Sequence, residues 1–125
     1  ENLSLFKLSY KPLRGSNDFN EVFKNPSQKI DSEHFRALTL INNREFKLGM
    51  ILPKKNIKLA VQRNFIKRTV RNLSANFFSG AKISLVLVSK KRILHFKKDK
   101  LRKELKDLIM NHKIKLNEEN NHIFN

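Results

Sequence analysis

Residues 54–71, KKNIKLAVQRNFIKRTVR, limit the possible folds of this chain more than any other segment. They include seven basic residues and no acidic one. On a helix that begins at about Ala60, polar donors share one sector of about 140°. These donors are Arg63, Asn64, Lys67, Arg68 and Arg71. Apolar side chains with helical spacing share another side, namely Ile66, Val70, Leu73 and Phe77. The segment therefore predicts an amphipathic helix with one face for a core and one face for a partner.

The distribution of charge indicates a polyanionic partner. From residue 46 to residue 98 the chain has fourteen Lys or Arg and no Asp or Glu, and the net charge at pH 7 is +16. A surface that only confers solubility normally mixes both signs, so nucleic acid is the leading partner class. A solvated basic face is the plain alternative. An anionic membrane surface is weaker, because no long amphipathic helix with a Trp or Phe belt occurs.

Length and composition predict a single domain over residues 1–125. Hydrophobic residues make up 39% of the chain and include ten Phe, which suffices for a modest core. We expect an ordered core at about residues 13–112, with a flexible N-terminal arm and a flexible segment 113–125. The chain has no Cys, so disulfides and thiolate metal sites are excluded. No long apolar run and no secretory signal is visible, and we expect a cytoplasmic protein.

The order of the predicted elements indicates an α+β fold, an α/β sandwich in which helices pack on a small mixed sheet. The predicted elements are a helix over 17–24, strands over 28–30, 35–41, 46–52 and 83–88, a helix over 60–78, and a last helix with Asp99 as N-cap. We predict that residues 42–45 join two of these strands as a hairpin. The apolar run 83–88 is typical of a central strand covered on both faces. Gly80 is a candidate for the left-handed end of the long helix.

Catalytic groups are not evident in the sequence. The acidic residues are scattered, whereas a two-metal nuclease needs converging carboxylates. The four His lack the close spacing of metal ligands. The aromatic residues Phe19, Phe23 and Phe35 have two interpretations, as core residues or as a stacking platform for unpaired bases. A second basic cluster follows the apolar strand and consists of Lys90, Lys91 and Arg92.

The basic segment resembles a known motif. Lys-Lys-Asn-Ile-Lys at 54–58, followed by Arg63-Asn64-x-x-Lys67-Arg68-x-x-Arg71, is similar to the RNR motif of the bacterial ribonuclease P protein subunit. The lead-in looks like the gammaproteobacterial form of that motif. The resemblance extends over about residues 13–108. It implies a fold similar to the second domain of ribosomal protein S5, with a left-handed βαβ crossover.

The resemblance also implies a function. The chain would be a subunit of the endoribonuclease that removes the 5′ leader from precursor tRNA during tRNA 5′ maturation. Catalysis is then expected in the RNA subunit, with Mg²⁺ held by that RNA and by substrate phosphates, and with no catalytic residue or metal site in the protein. The implied partners are ribonuclease P RNA and precursor tRNA, without a membrane or a small-molecule substrate.

Site residues carry over from the resemblance by position. Contact with the RNA subunit is assigned to Lys54, Lys55, Lys58, Arg63, Asn64, Lys67, Arg68 and Arg71. The cleft for the leader, between the short helix and the facing strands, is assigned to Phe19, Phe23 and Phe35. Lys90, Lys91 and Arg92 form an additional basic patch.

Three residues depart from the family pattern. Asn72 stands where an acidic or amide residue commonly follows the last Arg, so its amide is a mild departure. Phe65 stands where relatives usually have another Arg. We expect that this removes one phosphate partner, so that Phe65→Arg would tighten RNA binding. Leu38 occurs where an aromatic residue is frequent, which argues against base stacking at that position.

Two other functional classes fit part of the sequence. A ribosomal protein or another structural RNA-binding module would share the charge and the absence of an active site, but would not promote tRNA processing. A DNA-binding helix is a weaker alternative, because neither helix-turn-helix spacing nor a dimer seam is visible.

Overall fold

The structure, a computed structural model, describes residues 11–119, which form five strands and three helices. The strands are β1 (Lys11–Pro12), β2 (Gln28–Asp31), β3 (Phe35–Ile41), β4 (Lys47–Ile51) and β5 (Ile83–Ser89). The helices are α1 (Gly15–Lys24), α2 (Ala60–Phe78) and α3 (Lys98–Glu119). The predicted α+β class with a small mixed sheet is confirmed.

Strand β5 lies at the centre of the sheet, whose strand order is β1-β4-β5-β3-β2. It pairs antiparallel with β3 and parallel with β4. Five of its seven residues are hydrophobic, and only Val88 is more than marginally exposed. A strand that is apolar toward both faces must be covered on both faces, which favours an interior position. The predicted central strand is therefore confirmed.

The predicted hairpin between residues 35–41 and 46–52 is wrong, because β5 separates β3 from β4. The loop between them is anchored to the start of β5 instead of forming a tight turn. Asn42 and Asn43 both donate backbone N–H groups to the Lys82 carbonyl, at 2.9 and 3.3 Å. The antiparallel hairpin is formed by β2 and β3. Strands β4 and β5 are parallel neighbours joined through α2, a βαβ unit whose left-handed sense stays a prediction.

The main core lies between the sheet and the two long helices. Strand β3 contributes Phe35 and Ala37 to it, α2 contributes Ile66 and Val70, and the buried face of α3 completes it. On α3 this face consists of Leu101, Leu105, Leu108, Ile109 and Leu116. The predicted apolar face of α2 is thereby confirmed as a core face.

His112 is a polar member of this core. It is fully buried, and its Nε2 lies 2.7 Å from the Ala37 carbonyl oxygen. Its Nδ1 lies 3.2 Å from Thr39 Oγ1. Burial lowers the pKa of His112 to about 4, against the opposing effect of the Ala37 carbonyl. His112 therefore joins α3 to β3 as a neutral ring.

Helix α1 covers the opposite face of the sheet over a smaller area. Val22 is fully buried against Leu38 of β3 and Val86 of β5, and Leu13 completes the cluster. Burial of Leu38 agrees with the expectation that no base stacks there. Because one ten-residue helix cannot cover five strands, part of this sheet face stays open.

The end of α2 agrees with the prediction, whereas both ends of α3 differ from it. Gly80 follows α2 with a φ of +78°, as a left-handed cap requires. Helix α3 begins at Lys98, so Asp99 lies in its first turn and is not the N-cap. The expectation of a flexible segment from residue 113 is corrected, because α3 continues through Glu119 and buries Leu116. The N-terminal arm was predicted up to about residue 13, but Lys11–Pro12 form β1 and pair with β4. The rest of the arm, residues 1–10, and residues 120–125 lie outside the described residues.

Candidate nucleic-acid interface

The cations of the basic segment lie on α2 and on the loop that precedes it, and we call this set the α2 cationic face. It consists of Lys54, Lys55, Lys58, Arg63, Lys67, Arg68 and Arg71. Within residues 11–119, none of these seven forms an ion pair with a carboxylate. Asn64 lies exposed among them. The face therefore combines unneutralised positive charge with a neutral donor and acceptor.

A loop holds the first three lysines of this face in place. The Pro53 carbonyl accepts N–H bonds from Asn56 and Ile57, each at 3.0 Å. The Ile57 side chain is buried in the main core. The Asn56 side-chain amide donates to the Ser89 carbonyl at 3.0 Å. The backbone carbonyl of Asn56 accepts from the Ile93 N–H at 3.0 Å. These contacts tie the loop to the end of β5 while Lys54, Lys55 and Lys58 stay exposed.

Arg63 has a structural role within the same face. Its Nη1 donates to the carbonyls of Ile57 and Lys58, at 2.8 and 2.9 Å. A guanidinium that donates to backbone carbonyls forms strong, charge-assisted hydrogen bonds. Arg63 is half-buried, whereas Arg68 and Arg71 are exposed. Arg63 therefore orders the loop, and the other arginines are free to meet a partner.

Phe19 lies half-buried at the edge of the sheet, directly over the backbone of β4. A Cβ at Gly49 would stand 2.7 Å from Cε1 and Cζ of the Phe19 ring. Only glycine permits so close an approach of ring and strand. Phe19 also shares a depression of about 200 Å³ with Lys67 and Arg71 of α2. The structure thus brings together two predicted sites that the sequence presents separately, the α1 aromatic and the α2 cationic face.

Beside α1 the sheet presents an open row of side chains. The strand registers pair Ile51 with Val88 and Val88 with Arg36, so these three lie side by side on the α1 face. Ile51 is 36% exposed, and Val88 and Arg36 are half-buried. Phe23, near the end of α1, is 40% exposed. We call this open row together with Phe19 and Phe23 the α1 cleft.

The assignment of Phe35 to this cleft is wrong. Phe35 is fully buried in the main core, on the side of the sheet that α2 and α3 cover. Successive residues of a strand point to opposite faces, so its neighbour Arg36 occupies the cleft face instead. Sequence reasoning missed Arg36 and Ile51. The alternation of side chains along β3 and β4 shows that Arg36 and Ile51 point away from their sequence neighbours. It does not show which face of the sheet α1 covers, and that required the fold.

The second basic cluster is less cationic than predicted. Lys90 Nζ lies 3.5 Å from Asp31 Oδ2, and Lys91 Nζ lies 3.9 Å from Glu33 Oε2. Asp31 also accepts two hydrogen bonds from Arg36, which, with Lys90, hold its pKa at about 2. Two of the three predicted patch residues are therefore paired with acids. Arg92, the third, lines a wide depression of about 740 Å³ next to α3.

Glu104 of α3 positions the turn that carries those acids. It accepts from the His34 backbone N–H at 2.7 Å and from the Ser32 hydroxyl. The His34 Nδ1 lies 2.8 Å from its other oxygen. Burial alone would raise the pKa of Glu104, but the hydrogen bonds from His34 and Ser32 hold it below its usual value. The described residues contain no group of three or more His, Asp or Glu that could hold a metal ion.

Phe65 does not belong to the α2 cationic face. It is only 6% exposed and packs edge-on against Phe96, with ring centroids 5.8 Å apart. Its position on α2 lies at the border of the buried face, toward α3. An arginine here would have to leave the core, and tighter RNA binding by Phe65→Arg stays a prediction.

No helix in residues 11–119 has the length and hydropathy needed to cross a membrane. Comparison with known proteins identifies relatives of most of the chain. The ribonuclease P protein component of Marinobacter nauticus is 31% identical over 104 residues, which cover 82% of this chain and 78% of that protein. The components of Pseudomonas paraeruginosa and Pseudomonas aeruginosa are each 40% identical over 62 residues. Those matches cover 46% of each relative, so they span about half the length of these proteins.

Two solved structures share the fold. The ribonuclease P protein of Staphylococcus aureus superposes with a TM-score of 0.63 at 22% identity, covering 91% of this chain and 97% of that chain. The Thermotoga maritima protein gives a TM-score of 0.63 at 23% identity, covering 81% and 96%. A sequence model of the Ribonuclease P family matches residues 9–113. With its α2 cationic face and this fold, the chain belongs to the ribonuclease P protein family.

Proposed function

We propose that this chain is the protein component of a ribonuclease P ribonucleoprotein. It binds the catalytic RNA through the α2 cationic face and the 5′ leader of precursor tRNA through the α1 cleft. By doing so it assists the endonucleolytic removal of the leader. The bond is broken in the RNA subunit, with Mg²⁺ held by RNA and substrate phosphates, and the protein acts in the cytoplasm.

One observation carries this proposal. The α2 cationic face has no acidic partner within the described residues, and it joins the α1 cleft through Lys67, Arg71 and Phe19. Two RNA segments could therefore meet on one continuous surface. An isolated basic helix would offer only the first of these contacts.

Binding to the catalytic RNA follows from simple electrostatics. Each phosphate that a Lys or Arg neutralises releases counterions, and the affinity then falls steeply with salt. Arginine forks match phosphate oxygens in bidentate geometry, and Arg68 and Arg71 are both exposed. The same contacts lower the repulsion between the RNA subunit and its tRNA substrate, which reduces the Mg²⁺ concentration that the assembly needs.

The α1 cleft suits an unpaired strand. Exposed aromatic rings such as Phe23 stack on bases without regard to sequence, and Ile51 and Val88 add apolar contact. A leader is present only in precursor tRNA, so contact with it separates substrate from mature product. A structural RNA-binding protein has no need for this distinction.

The testing experiment is cleavage of a precursor tRNA by a bacterial ribonuclease P RNA at low Mg²⁺, with and without this protein. We expect stimulation only when RNA and protein are both present. The protein alone serves as control, and cleavage by it would place the active site in the protein. Tight RNA binding without stimulation would favour a ribosomal or other structural RNA-binding role.

A further inference from the structure

A concave groove lies between α2 and α3, apart from the α1 cleft. Phe65 forms part of its floor, Arg68 and Asn72 line it from α2, and Lys98 and Arg102 line it from α3. Its volume is about 360 Å³. We call it the α2–α3 groove. Three cationic side chains converge there around one amide.

Phe65 arranges two of these cations. Lys98 Nζ lies 5.5 Å and Arg102 Cζ lies 5.2 Å from the centre of its ring. Both distances are within the range of cation–π attraction. Phe96 closes the ring from the edge, so Phe65 cannot turn away without disturbing the core. The ring therefore holds two α3 cations next to Arg68 of α2.

The positive charges in the α2–α3 groove are not fully neutralised within the described residues, so the groove attracts an anion. Arg102 has one acidic neighbour, Asp99, at 3.1 Å, and that carboxylate is almost fully exposed. Within the described residues, neither Lys98 nor Arg68 forms an ion pair. Three cations beside one exposed carboxylate leave a positive excess, and the Asn72 amide adds a further donor. The two non-bridging oxygens of a phosphodiester can accept hydrogen bonds from this set of donors.

We propose that the α2–α3 groove binds a backbone phosphate of the catalytic RNA, with Lys98 and Arg102 as additional RNA-binding residues and Phe65 as their positioning residue. The inference rests on the proposed function, because Arg68 belongs both to this groove and to the α2 cationic face. The RNA that covers α2 then extends across to α3. In this arrangement Phe65 does not reduce the number of phosphate contacts, because it positions two cations where a single arginine side chain would otherwise stand.

The main test compares two double variants with the same change in charge. Lys98→Ala/Arg102→Ala removes two of the three groove cations, and Arg44→Ala/Lys106→Ala removes two exposed cations that do not line the groove. The measurement is the affinity for Pseudomonas aeruginosa ribonuclease P RNA over a series of salt concentrations. We expect the groove variant to bind about tenfold more weakly. We also expect the slope of log affinity against log salt concentration to become shallower by about 1 to 2. We expect the control to lose less than about threefold.

Phe65→Leu tests the positioning role, because it keeps an apolar side chain but removes the ring. We expect a loss of affinity of about two- to fourfold in the wild-type background and almost none when Lys98 and Arg102 are already alanine. The same loss in both backgrounds would overturn the positioning role. Thermal unfolding of each variant is measured alongside, and the exposed alanine variants test the groove even where Phe65→Leu fails to fold.

The outcomes separate this inference from the proposed function. Wild-type protein that neither binds the RNA nor stimulates cleavage would overturn both. A wild-type protein that does both, with equal losses in the two double variants, would overturn the groove alone, because general charge would explain the effect. A loss confined to the affinity for precursor tRNA would also overturn it, because the occupant would then be the substrate.

Discussion

The two basic segments of this chain look alike in sequence and differ in the folded protein. In the α2 cationic face, seven Lys and Arg within residues 54–71 have no acidic partner among the described residues. In the cluster at residues 90–92, Lys90 and Lys91 lie beside Asp31 and Glu33. The difference arises because β5 ends next to the β2–β3 turn, which carries those acids. Whether the cations of a basic cluster can contact a partner therefore depends on their neighbours in the folded protein and not on local composition.

The largest expected difference is in RNA affinity. Lys67→Ala/Arg71→Ala should weaken binding to ribonuclease P RNA by about 30- to 100-fold, because two unneutralised phosphate partners are lost. Lys90→Ala/Lys91→Ala should weaken it by less than about threefold, because exposed ion pairs already occupy both lysines. Filter binding at fixed salt measures both variants. Equal losses would mean that the two segments are equivalent after all.

Arg63 and Arg68 belong to the same α2 cationic face but contribute differently to stability. Arg63→Ala should lower the free energy of unfolding by about 2 kcal/mol, because two charge-assisted bonds to the Ile57 and Lys58 carbonyls disappear. Arg68→Ala is the matched control and should change it by less than about 0.5 kcal/mol. Urea unfolding followed by circular dichroism is the measurement. Similar values for both variants would contradict a structural role for Arg63.

The two basic segments differ only in the folded protein. His112 limits the pH range in which the protein stays folded, because burial keeps its ring neutral. Its pKa is about 4 in the folded protein and near 6.5 in an unfolded chain. Between these values the unfolded chain binds more protons, so stability falls as the pH falls, by at most about 1.4 kcal/mol per pH unit. His112→Gln, which cannot titrate, should flatten this slope. An unchanged slope in urea unfolding between pH 4 and 6.5 would show that His112 is not responsible.

The smallest effect is expected when the cluster at residues 90–92 is released from its acids. Asp31→Asn/Glu33→Gln should tighten RNA binding by about two- to threefold at low salt, and the gain should fade at high salt. Glu118→Gln/Glu119→Gln gives the same change in net charge at the end of α3. If this control tightens binding equally, the cause is net charge and not the release of Lys90, Lys91 and Arg36 from their acidic partners.

Local patterns predicted most of the elements because periodicity is a local property. The bounds of β3 agree with the alternation at residues 35–41, and those of α2 agree with the spacing of its apolar face. The pairing of the strands was not predictable in this way. The hairpin between β3 and β4 fails because β5, more than thirty residues downstream, occupies the place between them.

The site errors have the same origin. Alternation shows that Phe35 and Arg36 point to opposite faces, but it does not show which face α2 and α3 cover. The packing of Phe65 was not predictable from the motif, because its neighbours Phe96, Lys98 and Arg102 lie on later segments. The helical spacing within the basic segment correctly predicted α2. The surroundings of each side chain required the fold.

We propose that two RNA segments meet on one surface of this protein, the catalytic RNA on the α2 cationic face and the leader in the α1 cleft. Site-specific photocrosslinking in the assembled ribonucleoprotein tests it most directly, with a photoreactive residue at either Asn64 or Phe23. We predict that the probe at Asn64 labels ribonuclease P RNA and that the probe at Phe23 labels the leader of precursor tRNA. Labelling of the same RNA from both positions, or none from Asn64, would contradict the account.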